Sequence, residues 1–133
     1  MNVLEATITG IESSNHLSLV DLQVQGDPVT VVIVETEDTA DYLKQGNRVA
    51  VTFKETEVAL SRESSVPISL RNRFACTVVG VSEGRILTAI DLDYKGTQIQ
   101  SIMTTRSARE LSLKPGDQVS ALVKTNELSL IQR

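Results

Sequence analysis

The sequence repeats itself at an offset of 70 residues, and this repeat limits the possible folds more than any other feature. Residues 4–62 align without gaps with residues 74–132, and 13 of the 59 aligned pairs are identical, or 22%. Many other pairs exchange one apolar residue for another, as Leu4 and Phe74 do. Because a repeat of this kind marks one recurring structural unit, the chain is predicted to contain two copies of one small fold.

Each copy is predicted to be rich in strands. Of the 133 residues, 38 are β-branched (16 Val, 9 Ile and 13 Thr), whereas only four are aromatic. Such residues favour strands over helices. Period-two alternation, interrupted once, predicts the order β-β-β-α-β-β. In the second copy the predicted strands are residues 73–82, 86–94, 97–104, 118–124 and 127–132.

A short helix is predicted between the third and fourth strands of each copy. In the second copy, TRSARELSLKPGD offers Ser107 as the helix cap, Ala108 and Leu111 as apolar positions, and residues 115–116 as the stop. In the first copy, TEDTADYLKQGN is the matching segment and Gly46 is its stop. This order predicts an all-β fold with one short helix per repeat, arranged as two tandem OB-like five-stranded Greek-key barrels.

We predict a first module at residues 1–62, a linker at 63–68 and a second module at 69–133. The linker prediction rests on the serine cluster and proline of SRESSVPI. Charge also divides the chain, since residues 1–66 carry a net charge of −7 and residues 67–133 one of +3. An anion would be drawn to the second half. Modules of about 60 residues bury small cores, so a homo-oligomer is expected.

Several function classes are disfavoured. No apolar run approaches the roughly 20 residues of a membrane span, and the N-terminal segment does not resemble a secretory signal. The single cysteine, Cys76, excludes an intrachain disulfide, which is typical of a cytoplasmic protein. Cys76 is expected to be a buried strand residue and His16 a solvated turn residue, and no catalytic motif occurs. We therefore expect no enzyme activity.

Nucleic acid is the next ligand to weigh, because OB barrels commonly bind it. Single-strand binding requires aromatic platforms and a basic groove. The chain has four aromatic residues, no tryptophan and an isoelectric point near 5. These properties disfavour an oligonucleotide-binding function.

The second copy resembles a known family. Its SLRNRF segment, followed by TVVGVSEGRI and MTTRSARELSLKPGDQVSALVKTNELSLI, is similar to the molybdenum-pterin-binding (Mop) module, the TOBE-type OB fold of molbindins. The resemblance covers residues 69–132 and, more faintly, residues 4–62, as in tandem di-Mop proteins. Leu70, Cys76 and Thr125 depart from the family pattern, but no charged position of that pattern is lost.

The resemblance implies a protein that binds molybdate or tungstate as an oxyanion, in storage, homeostasis or delivery, with no cofactor and no directly coordinated metal. A tetrahedral dianion needs hydrogen-bond donors and positive charge rather than a nucleophile. The family's ligands come from neighbouring modules, so the site is expected across a subunit interface of a trimer or a dimer. One wall would consist of Ser69, Arg71, Lys124 and Thr125, and the other of Thr104 and Ser107 from another chain.

The first copy is expected to have lost this site. Val34 and Glu37 stand where the second copy has Thr104 and Ser107, and only Lys54 keeps the residue type of an implied ligand. The first module would then serve mainly as packing surface. Two alternatives stay open at this point, namely a structural or regulatory TOBE module with a vestigial site and an OB-type oligonucleotide binder.

Overall fold

A computed structural model, which describes residues 1–133, shows two antiparallel five-stranded sheets. The first half supplies five strands, β1 (Asn2–Ser14), β2 (Leu17–Val24), β3 (Asp27–Ile33), β4 (Arg48–Phe53) and β5 (Ala59–Ser61). The second half supplies β6 (Asn72–Glu83), β7 (Leu87–Tyr94), β8 (Thr97–Thr104), β9 (Gln118–Val123) and β10 (Ser129–Gln132), together with helix α1 (Thr105–Leu111). The predicted class of two tandem OB-like units is confirmed, and the strands lie close to their predicted positions.

The two halves exchange their last strands. The first sheet has the order β10-β4-β1-β2-β3, and the second has the order β5-β9-β6-β7-β8. Strand β5 of the first half therefore pairs with β9 of the second, while β10 of the second half pairs with β4 of the first. Each sheet is completed by the other half of the chain.

The sheets also share one hydrophobic core of 25 buried residues. At its centre the rings of Phe53 and Phe74 stack with centroids 5.9 Å apart, and Tyr94 meets Phe74 edge-on at 5.2 Å. One ring comes from the first half and two from the second. Three of the four aromatic side chains are thus buried and cannot stack on bases.

The prediction of one helix per repeat is wrong for the first half, where residues 34–47 form turns. In the second half the Thr104 hydroxyl accepts a hydrogen bond from Ser107 N–H and caps α1. Val34, at the matching position, has no acceptor. Thr36 N–H instead donates to the Thr39 hydroxyl at 2.8 Å, a local bond that competes with helix formation. The predicted cap Ser107 is also wrong, since Thr104 is the cap and Ser107 lies in the first turn.

The end of α1 is held by the exchanged segment of the first half. Arg62 follows β5, and its guanidinium donates to the carbonyls of Leu111 and Ser112 at 2.5 and 2.7 Å. It also forms an ion pair of 2.8 Å with Asp117. A cation at a helix C-terminus satisfies the last carbonyls and suits the helix dipole. With only seven residues, α1 is too short to cross a membrane, and the chain has no other α-helix.

The turns after β2 and β7 pack against each other through a buried tyrosine. The Tyr94 hydroxyl donates to an Asp27 carboxylate oxygen at 2.6 Å and lies 3.1 Å from the Val24 carbonyl oxygen. Lys95 forms a second contact with Asp27 at 3.0 Å. The hydrogen bond from Tyr94, together with the Lys95 ammonium, holds the pKa of Asp27 below its ordinary value.

We expect Tyr94→Phe to lower the free energy of unfolding at pH 7 by about 1.5 kcal/mol, the scale of a hydrogen bond to a charged group. Because the lowered pKa of Asp27 stabilises the folded state only above its unfolded pKa of about 3.9, the deficit should shrink as pH falls towards 3. Urea unfolding at several pH values measures it. Tyr42→Phe, which removes a 2.6 Å bond to Glu35 in a half-buried turn, is the control and should cost less. An equal cost for both variants would contradict the prediction.

Candidate oxyanion-binding site

A cleft of about 690 Å³ lies between the two halves. Its walls are the outer face of the β2-β3 hairpin and the irregular segment that leads into β6. The first half contributes Thr9, Asp21, Gln23 and Thr30, and the second contributes Ser69, Arg71, Arg73 and Thr125. Both halves of the chain are therefore needed to form the cleft.

Three of the six predicted ligands meet in this cleft. Ser69 and Arg71 lie just before β6, where the chain has no regular structure. Thr125 begins the 3-10 turn Thr125–Glu127, which packs against β3. The Arg71 guanidinium is exposed and forms no ion pair or hydrogen bond within the chain, so it is free to bind an anion. The predicted convergence of Ser69, Arg71 and Thr125 is thus a feature of the single chain.

Lys124 precedes Thr125 but is not part of the cleft wall. Its side chain is exposed, and its carbonyl accepts a hydrogen bond from Glu127 N–H at 3.0 Å. Burial and the neighbouring Glu57 carboxylate raise the pKa of Glu127, whereas Lys124 lowers it. The ammonium thus lies near the cleft and also offsets two carboxylates.

Thr104 and Ser107 are not in the cleft. Thr104 lines a separate cavity of about 420 Å³ together with Arg85, Ile86 and Arg106. Ser107 borders a third cavity, next to β5 and Met103. The Thr104 hydroxyl already accepts from Ser107 N–H and lies 2.9 Å from the Ser107 hydroxyl. Within one chain these two hydroxyls do not join Arg71.

The residue most clearly missed from the sequence is Arg73. It lies two positions after Arg71, and side chains two apart point to the same side of an extended chain, so the alternation could have revealed it. Arg73 lines the cleft and donates to the Val66 carbonyl. With Asp21 as the only carboxylate in the wall, two guanidinium groups and one carboxylate give a net charge of +1.

The equivalent region of the other half has the opposite character. At the offset of 70 residues, Met1 and Val3 replace Arg71 and Arg73, and Glu55 replaces Thr125. A cavity of about 390 Å³ there is lined in part by Thr77, Asp93 and Gln98. Only one of the two related regions therefore combines arginines with hydroxyl donors.

The site offers binding groups rather than reactive ones. Cys76 is buried, as predicted, and burial raises the pKa of its thiol to about 12. His16 is exposed in the turn between β1 and β2. No group of three or more His, Cys, Asp or Glu side chains is placed to hold a metal ion. Fold and site together define a protein with two OB-type units and a basic, hydroxyl-lined cleft between them.

Comparison with known proteins identifies the family. The TOBE domain model matches the chain twice, at residues 1–60 and 68–130, so this chain belongs to the TOBE domain family. The resemblance to Mop modules is confirmed by molybdenum-pterin-binding protein 1 of Clostridium pasteurianum, which is 32% identical over 65 residues, or 48% of this chain and 96% of that protein.

Two further relatives are informative. The molybdenum import ATP-binding protein ModC of Brucella abortus is 37% identical over 83 residues, which are 62% of this chain but only 23% of that longer protein. A crystal structure of the cytoplasmic molybdate-binding protein ModG with molybdate bound superposes with a TM-score of 0.91 and 28% sequence identity. That match covers 99% of this chain and 96% of the ModG chain, so the whole two-unit architecture is shared.

Proposed function

We propose that this protein is a cytoplasmic, non-enzymatic binding protein for molybdate or tungstate that acts in storage, homeostasis or delivery of the anion. One observation carries the proposal: Ser69, Arg71 and Thr125, which are far apart in sequence, meet in one basic cleft. A tetrahedral dianion is held by such groups, because hydroxyls and a guanidinium donate hydrogen bonds while arginine adds charge. The full-length similarity to the molybdate-binding ModG supports this choice of anion.

We further propose that a second copy of the chain completes the site. Lys124 would turn towards the bound anion beside Thr125, and Thr104 and Ser107 would come from the neighbouring copy. The separate location of these two hydroxyls supports this arrangement, because a single chain does not bring them to Arg71. A homo-oligomer, with a trimer favoured over a dimer, would provide the required contact.

In this proposal the first half, residues 1–62, carries no anion site of its own, and residues 63–68 link it to the second half, residues 69–133. Residues 34–38 include three carboxylates and start no helix, so they offer neither charge nor a helix N-terminus to an anion. The first half instead forms one wall of the cleft through Thr9, Gln23 and Thr30. A bound anion surrounded by residues 34–38 would contradict this assignment.

Calorimetric titration of the dialysed protein with molybdate, tungstate and sulfate, with the native mass measured in the same buffer, tests the proposal. We expect tight binding of molybdate and tungstate, much weaker binding of sulfate, and a mass that corresponds to an oligomer. Absence of heat with all three anions would overturn the binding function and leave a structural TOBE module. Binding by a monomer would overturn only the proposed interface.

A further inference from the structure

Asn72 lies between the two arginines of the cleft, and its side chain pairs with the free edge of β3. Its amide oxygen accepts from Thr30 N–H at 2.8 Å, and its amide nitrogen donates to the Thr30 carbonyl, also at 2.8 Å. Only 1% of Asn72 is exposed. Because β3 is the last strand of its sheet, these two bonds satisfy backbone groups that no further strand reaches.

The same contact occurs once more, 70 residues away. The Asn2 amide nitrogen donates to the Gln100 carbonyl at 2.9 Å, and its amide oxygen accepts from Gln100 N–H at 2.8 Å. Gln100 lies on β8, the edge strand of the second sheet. Each half thus uses one buried asparagine to hold the edge strand of the other half, and the two contacts have nearly identical geometry.

Their surroundings differ in a way that separates structural from functional roles. Asn72 is flanked by Arg71 and Arg73, and its partner Thr30 also lines the basic cleft. Asn2 is flanked by Met1 and Val3, away from that cleft. A purely architectural asparagine would contribute equally at both places, whereas one that positions the anion-binding arginine would affect binding only at Asn72.

We propose that Asn72 is a positioning residue of the oxyanion site, which fixes the backbone of Arg71 against β3 so that its guanidinium projects into the cleft. This inference rests on the proposed function. Arg71 has no ion pair or hydrogen bond of its own, so the contact made by its chain neighbour is the nearest fixed point. A ligand group held in advance loses less conformational freedom when the anion binds.

The test compares Asn72→Ala with Asn2→Ala, since both remove the same pair of hydrogen bonds without adding charge. Sodium molybdate affinity and melting temperature are measured for both. We expect similar drops in melting temperature, but an affinity loss of about tenfold for Asn72→Ala and less than twofold for Asn2→Ala, because about 1.4 kcal/mol of lost preorganisation weakens binding tenfold. If Asn72→Ala does not fold, Asn72→Ser, whose hydroxyl can serve one of the two backbone groups, takes its place.

A double-mutant cycle adds a measurement that a structural role would not change. Arg71→Met is made in the wild-type protein and in the Asn72→Ala variant, and its cost in molybdate affinity is compared. Coupled residues should give a smaller cost in the variant, whereas independent residues give equal costs. Equal affinity losses for the two asparagine variants, or an additive cycle, would overturn the positioning role. Failure of the wild-type protein to bind molybdate would instead overturn the proposed function.

Discussion

Replacement of Arg71 by glutamate is expected to weaken molybdate binding by at least about a hundredfold, the largest effect of any single substitution in the cleft. A hydrogen bond to a charged group contributes about 1.5–3 kcal/mol, and each 1.4 kcal/mol corresponds to about a tenfold change in affinity. Loss of the guanidinium alone therefore accounts for about tenfold to a hundredfold. The new carboxylate then repels the dianion and leaves Arg73 as the only arginine facing Asp21.

Calorimetric titration of three variants separates these contributions. Arg71→Met removes the charge without reversing it and should bind with intermediate affinity. Arg48→Glu makes the same charge reversal at an exposed position of β4, outside the cleft, and should leave the affinity nearly unchanged. If Arg48→Glu weakened binding as much as Arg71→Glu, the effect would arise from net charge, and Arg71 would not be a ligand.

The sequence was sufficient to predict the units of the fold, because the repeat and the period-two alternation are local patterns. The matched irregularities between Ile8 and Gly10 in β1 and between Val78 and Gly80 in β6 show how far the repeat extends into the backbone. The strand exchange was not predictable in this way. Leu60 and Leu130 occupy matching positions, and the apolar pattern of each is compatible with either sheet.

The helix of the first half shows where the repeat is misleading. A single position decides whether the segment has a cap, since Thr104 offers an acceptor and the aligned Val34 does not. The length and spacing of the two segments are the same, so alignment carried the helix from one copy to the other. The local chemistry of Thr36 and Thr39 then decided the structure.

The candidate site was predictable on one side only. Ser69, Arg71 and Thr125 come from segments whose pattern identifies them, and Arg73 follows from the same alternation. The opposite wall, with Thr9, Gln23 and Thr30, belongs to the half that lacks the motif. Those residues reach the cleft because Asn72 and the turn at Thr125 pack against β3, and contacts between sheets leave no mark in the sequence of either strand.

The strand exchange leads to the second large expected effect: cutting the chain between its halves should not separate them. A specific protease site inserted between Glu63 and Ser64 lies in a segment without strands or helices. After cleavage, β5 remains paired with β9, and β10 remains paired with β4. The shared core, including the stack of Phe53 on Phe74, is also left intact. We therefore expect the fragments 1–63 and 64–133 to stay bound in equal amounts.

Native mass spectrometry and gel filtration before and after cleavage measure this directly, with the uncut insertion variant as the control. Urea should release the two fragments, and their mixture should recover the original elution volume after dilution. Because refolding of the cut protein joins two molecules, its unfolding midpoint should rise with protein concentration, whereas the midpoint of an uncut monomer would not. Separation of the fragments in native buffer would show that each half completes its own sheet, which would contradict the exchange of β5 and β10.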